Sequence, residues 1–308
     1  MNRTSMRAVA TIAGVALLAT ACGADDEAEE PDAPDDGTEE PADDEVDEDP
    51  DEEADEDDAV DEDEAADDEE AAGDAGDLEL VSEGTLTICS DIPYPPFEYE
   101  DADAPSGYSG FDIDLTQEMA DNLGLELEVI ESGFDGLQSG TTLAAGQCDL
   151  AVSAMTITEE RGENLEFSEP YYDATQSLIV LEDGDVSSLD DVAGQSLGVQ
   201  AATTGAEYAE ENAPDDTEII EFESGPDLFT AMLAGTIAAG LQDLPVNVEQ
   251  VQADDQFEIA EEYETGEQYG MAAAQGNTEL IDAVNAELES LREDSTYDEV
   301  YDRYFAVD

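Results

Sequence analysis

Arg161 stands out as a rare cation in an acidic chain. The 308-residue sequence has 88 Asp and Glu against five basic residues, giving a formal net charge of -83. All five are Arg (positions 3, 7, 161, 292 and 303), and neither Lys nor His occurs. A planar guanidinium can hold a carboxylate through two parallel hydrogen bonds. Arg161 therefore suits either a structural ion pair or an anchor for a carboxylate-bearing ligand. Ser153 and Thr156, shortly before it, add hydroxyl donors. Thr203 and Thr204 precede a predicted helix, whose first N–H groups favour an anion, although such a pair is also an ordinary cap. Asp91 and Asp243 each close a predicted apolar strand. Without His, no Ser-His or Cys-His nucleophile pair can form, while catalysis by a carboxylic acid stays open.

Hydrophobic periodicity supplies the elements that would position these groups. Leu86 to Cys89 reads as a strand running into Ser90-Asp91. Leu115, Met119 and Leu123 mark one face of a helix closed by Gly124. Strands follow at 125–130 and 149–154, with a short helix over 136–145 between them. The β-α-β-α-β order predicts a parallel sheet covered by helices. The pattern then restarts, with strands at 177–181, 196–199, 218–222 and 237–241 and helices after Thr204 and over 227–234. A strand at 270–274 and helices over 278–291 and 297–305 end the chain. Two α/β units imply a cleft between them, and ligands of such sheets sit at the carboxyl ends of strands.

The charge is unevenly spread. Residues 25–77 hold 33 of the acids in 53 positions with no aromatic residue, and the other 55 lie in 78–308. Such acidity excludes nucleic acid and direct adhesion to an anionic membrane surface. Self-repulsion on this scale opposes compaction, and concentrated salt removes most of it, the Debye length falling to about 3 Å at 1 M. The composition therefore predicts a protein built for brine. Residues 1–22 read as a secretory signal: Arg3 and Arg7, then an apolar run from Ala8 to Ala21 too short to span a bilayer. Leu18-Ala19-Thr20-Ala21-Cys22-Gly23 resembles a bacterial lipobox, making Cys22 the lipidation site. Residues 23–77 then read as a disordered tether reaching roughly 40 Å as a flexible coil. That tract lacks the Asp-x-Asp-x-Asp-Gly spacing that would wrap a metal ion.

Six strings carry a family resemblance, in order: Asp91-Ile92-Pro93-Tyr94-Pro95-Pro96-Phe97; Gly110-Phe111-Asp112-Ile113-Asp114-Leu115; Met155-Thr156-Ile157-Thr158-Glu159-Glu160-Arg161; Phe167-Ser168-Glu169-Pro170-Tyr171-Tyr172; Gln242-Asp243-Leu244-Pro245; and Tyr269-Gly270. Over residues 79–307 the sequence resembles family 3 of the bacterial extracellular solute-binding proteins, the polar amino-acid type. The resemblance implies an α/β, two-lobed periplasmic-binding-protein-like fold of type II, with two hinge strands and a ligand cleft. Lobe 1 would comprise 78–175 plus 270–308, and lobe 2 residues 176–269. The implied role is capture of a free amino acid by hinge closure and delivery to an ABC transporter permease. The protein would be a monomer, lipid-anchored on the extracellular face of the cell membrane, without cofactor, metal or catalytic residues.

By the same resemblance, Arg161 holds the ligand carboxylate, helped by Ser153, Thr156, Thr203 and Thr204. Asp243 accepts from the ligand ammonium, and Tyr94 and Phe134 sandwich its side chain. Without the resemblance, both aromatics read as core. Asp91 would bind a basic side chain or order its loop. The family usually places Gly before the two threonines, where this chain has Ala202, leaving the loop's shape open. Cys89 and Cys148 fall on neighbouring strands of the implied sheet, so a disulfide is open as well. The rival functions are a periplasmic dehydratase of the same fold acting on prephenate-like acids, and a sensory binding domain.

Overall fold

The computed structural model describes residues 78–306. The signal segment 1–22, its Cys22 and the acidic stretch 23–77 lie outside the described residues. No helix among the described residues is long and apolar enough to cross a membrane.

The chain enters β1 (Thr85–Ser90), forms the small hairpin β2 (Tyr99–Glu100) and β3 (Tyr108–Ser109), and continues into α1 (Phe111–Asn122) and β4 (Glu126–Glu131). Two short helices, α2 (Phe134–Gln138) and α3 (Thr141–Ala144), lead to β5 (Leu150–Ala151) and β6 (Leu165–Phe167). The single helix expected over 136–145 is thus two, divided at Gly140, whose φ of 74° breaks the helical path. The strand expected over 149–154 is only two residues long. Beyond it the backbone turns through Ala154, at φ 44°.

β7 (Tyr172–Leu181) carries the chain into a second sheet. There follow β8 (Ser196–Gln200), α4 (Thr204–Asn212), β9 (Glu218–Phe222), α5 (Gly225–Leu233), β10 (Ala239–Asp243), α6 (Leu244–Ala253) and the 13-residue β11 (Phe257–Tyr269). β12 (Ala272–Ala274), α7 (Thr278–Glu293) and α8 (Thr296–Phe305) complete the first half. β11 and α6 have no counterpart in the sequence reading. In β11 only the end residues Phe257 and Tyr269 are buried, and five Glu between them leave no apolar run of the kind that marks the other strands.

The first sheet has the order β4-β1-β5-β12-β6, and the second β11-β7-β10-β8-β9. In both, the central strands run parallel, β1 with β4 and β5, β8 with β9 and β10. Helices cover the faces, as parallel sheets require. β7 and β11 pair antiparallel and are the two crossings between the halves. Their junction rests on an aromatic cluster: Tyr172 stacks on Tyr269 at 5.4 Å, and Phe97 meets both edge-on at 5.2 and 5.3 Å. The second half packs aliphatic residues instead, Leu178, Val180, Val192, Leu197, Val199 and Leu241. Cys89 and Cys148 form a disulfide with Cα atoms 5.8 Å apart.

Candidate ligand-binding site

A cavity of about 410 Å³, its mouth included, lies between the two halves. All nine residues singled out from the sequence line it: Asp91, Tyr94, Phe134, Ser153, Thr156, Arg161, Thr203, Thr204 and Asp243. The topology explains the convergence. Asp91 follows β1, Ser153 and Thr156 follow β5, and Thr203 stands between β8 and α4, while Asp243 closes β10. These are carboxyl ends of parallel strands from both sheets.

Arg161 opens a short 3-10 turn and is only 5% exposed. Its guanidinium donates to two backbone carbonyls, Thr156 O at 2.7 Å and Ala202 O at 3.1 Å, and lies 5.2 Å from the Phe134 ring centroid. Among the described residues no carboxylate lies within ion-pair distance of it, the one salt bridge there being Arg303–Asp114. Burial pushes its pKa down, opposed by the charges of Glu207, Asp243 and Glu267. Guanidinium retains its proton regardless, so the cavity holds a cation whose partners are neutral. Phe134 is a platform for this cation, a role beyond the side-chain sandwich expected of it.

Opposite, Asp243 is buried and accepts from the Tyr94 hydroxyl at 2.7 Å and from Gln176 Nε2 at 2.6 Å. Burial raises its pKa to about 6. Asp91 accepts from Gln200 Nε2 at 2.6 Å and is likewise raised to about 6 by burial, the Gln200 bond opposing the shift. Tyr94–Asp243, Asp91–Gln200 and Arg161–Ala202 each join one half to the other across the cavity.

Two hydroxyls differ from expectation. Ser153 Oγ donates to Glu98 Oε1 at 2.6 Å and accepts from Asp91 N at 3.0 Å. Its single proton is committed, so it cannot also donate to a ligand carboxylate. Thr203 Oγ1 donates to Gln200 O at 2.8 Å and accepts from Ala206 N at 3.1 Å, acting as the cap of α4. The Thr156 and Thr204 hydroxyls, with oxygens 3.4 Å apart, border the cavity and both donate to the Glu267 carboxyl. Ala202 adopts φ 64°, the left-handed conformation that Gly enters freely, so the loop keeps that shape despite a β-carbon.

Gln176, Gln200 and Gln242, not singled out from the sequence, also line the cavity. Gln200 and Gln242 did carry a signal, as amides at the carboxyl ends of apolar strands. Glu98 and Asp112, buried beneath the site, were missed as well. Asp112 accepts from Ala154 N at 2.7 Å and Tyr171 Oη at 2.8 Å, and burial raises it to about 7. Glu98 is pushed up by burial first and by the neighbouring Asp112 second.

Two lobes, two crossing strands and a polar cavity containing one unpaired guanidinium define a two-lobed ligand-binding protein. Residues 86–307 match the model of the bacterial extracellular solute-binding proteins, family 3, and the chain belongs to that family. The putative ABC transporter arginine-binding protein 2 of Escherichia coli (strain K12) is 28% identical over 233 residues, covering 74% of this chain and 93% of that protein. An ancestral arginine-binding protein bound to glutamine superposes with a TM-score of 0.68 at 32% identity, covering 73% of this chain and all of that one. The ancestral amino acid-binding protein AncCDT-1, a precursor of cyclohexadienyl dehydratase, superposes with a TM-score of 0.66 at 32% identity, over 72% of this chain and 96% of that one.

Proposed function

We propose that this protein binds a free amino acid between its lobes and presents it to the permease of an ABC importer. The observation that carries this reading is the buried Arg161 guanidinium, which lacks a carboxylate partner among the described residues and faces Asp243 across the cavity. An α-carboxylate would pair with Arg161 through two parallel bonds, and the α-ammonium would lie at Asp243. Thr156 and Thr204 supply hydroxyls, while Tyr94 and Phe134 flank the side chain. A ligand that touches both lobes shifts the hinge equilibrium toward the closed form. Lobe 1 is residues 78–175 plus 270–308, and lobe 2 residues 176–269.

The finer parts of the reading rest on sequence. Cys22 carries a lipid that holds the protein as a monomer on the extracellular face of the membrane, residues 23–77 are its tether, and the working medium is concentrated salt. Binding leaves the ligand chemically unchanged, so a prephenate-like acid incubated with the protein is returned intact. A thermal-shift screen of single L-amino acids in molar KCl tests the whole: a ligand that binds only the folded state raises Tm. At least one amino acid should do so, and a flat screen would sink the reading.

A further inference from the structure

The hinge strand β11 leaves its pairing register just before the cavity. Tyr263 lies opposite Gln176 of β7 and Glu267 opposite Ala174, so β11 takes four steps where β7 takes two. Gly266, at φ 71°, turns the backbone within this bulge. Bulges re-aim side chains, and this one brings the Glu267 carboxyl against the site. Its Oε2 accepts from Thr204 Oγ1 at 2.7 Å, from Thr156 Oγ1 at 2.9 Å and from Gln176 Nε2 at 3.4 Å. The donors come from α4 in one lobe, the loop after β5 in the other, and the crossing strand β7.

Glu267 reaches these donors from behind. It lines a neighbouring open groove that shares Thr156 and Thr204 with the ligand cavity, so the two threonines form the wall between cavity and groove. A hydroxyl has one proton to donate. Each threonine can therefore serve Glu267 or a carboxylate in the cavity, not both. Glu267 also adds negative charge beside Arg161, which repels a ligand carboxylate arriving there.

We propose that Glu267 is an internal competitor for the ligand: its carboxyl holds the Thr156–Thr204 hydroxyl pair across the lobes, and an incoming carboxylate must take that pair from it. This sets affinity, because the competitor is always present. It also ties the lobes together without ligand, because one carboxyl oxygen bridges a hydroxyl from each. The proposal rests on the amino-acid-binding reading for its first consequence only.

The test uses Glu267→Ala and Glu267→Gln in the folded full chain, in molar KCl. Each of the twenty L-amino acids is titrated by calorimetry, and small-angle scattering is recorded without any amino acid. Loss of a competing hydrogen-bonded carboxyl should tighten the best-binding amino acid about tenfold in Glu267→Ala, with Glu267→Gln between it and the parent. The radius of gyration without ligand should grow in Glu267→Ala as the lobes separate. Equal binding in Glu267→Ala would show that Glu267 does not compete, weaker binding that it supports the ligand, and either would overturn the proposal, as would a scattering curve identical with the parent's. If the parent itself binds no amino acid, the function assignment fails, and the scattering result still decides whether Glu267 ties the lobes.

Discussion

On the outside of the molecule Arg303 reaches Asp114, and Arg292 reaches the carbonyl of Pro170 and the face of Tyr297. In the cavity Arg161 meets carbonyls and a ring. Arg303 is half exposed in that pair, and exposed pairs contribute little, less still in concentrated salt. The inner cation is different, since removing a charge from water without a counter-charge is costly. The carboxyls lining the same cavity answer in kind: half-buried Asp91 and buried Asp243 are both raised to about 6. The surface is packed with acid, yet the cavity guanidinium has no carboxylate partner among the described residues, which is the arrangement the proposed ligand carboxylate would complete.

The contrast breaks most severely at Arg161 itself. Arg161→Ala should weaken binding of the cognate amino acid by at least about a hundredfold, since truncating one member of a buried, hydrogen-bonded charge pair costs about 2–5 kcal/mol. Calorimetry checks it, and Arg303→Ala, on the surface, should leave affinity unchanged.

Next in size is the dependence on pH. Asp243 is raised to about 6 by burial, and an ammonium needs it ionised. Above pH 6 affinity should be level, and below it should fall up to tenfold per unit as the proton competes. A ligand whose cationic side chain lies at Asp91 should steepen that slope, because Asp91 is raised to about 6 as well. Asp243→Asn should lose about ten- to a hundredfold in affinity and flatten the profile for neutral side chains.

A smaller effect is expected where the lobes touch. A β-carbon added at Gly225 would lie 2.9 Å from the Tyr94 ring and 3.0 Å from Gln242 Oε1. Tyr94 belongs to one lobe and Gly225 to the other, so Gly225→Ala should obstruct closure. Overpacking of this kind costs about 1–3 kcal/mol, and titration should show affinity reduced by about tenfold. The smallest change is Ala202→Gly. Relief of the left-handed strain is worth about 1 kcal/mol, partly offset by the freer unfolded chain of Gly. Tm should rise by about 2 °C, with affinity nearly unchanged.

Much of this was legible in the sequence because it depends on periodicity and on strand ends. The alternation of strands and helices follows from the spacing of apolar residues, and the strand ends deliver Asp91, Thr204 and Asp243 to one cleft. What stayed hidden depends on pairing between distant segments. Whether Ser153 can serve a ligand depends on Glu98, buried 55 positions earlier and hydrogen-bonded to it. Glu267 lies in Phe257–Tyr269, where five Glu interrupt any apolar run and hide the strand. Its aim is set by a bulge visible only once β11 pairs with β7.

The central claim concerns one guanidinium and one carboxylate, and comparing an amino acid with its own primary amide isolates them. The parent should prefer the cognate acid to the amide by at least about a hundredfold, and Arg161→Ala should bind the two alike. If the Arg161→Ala variant kept the parent's preference for the acid, another group would be holding the carboxylate and the account would be wrong.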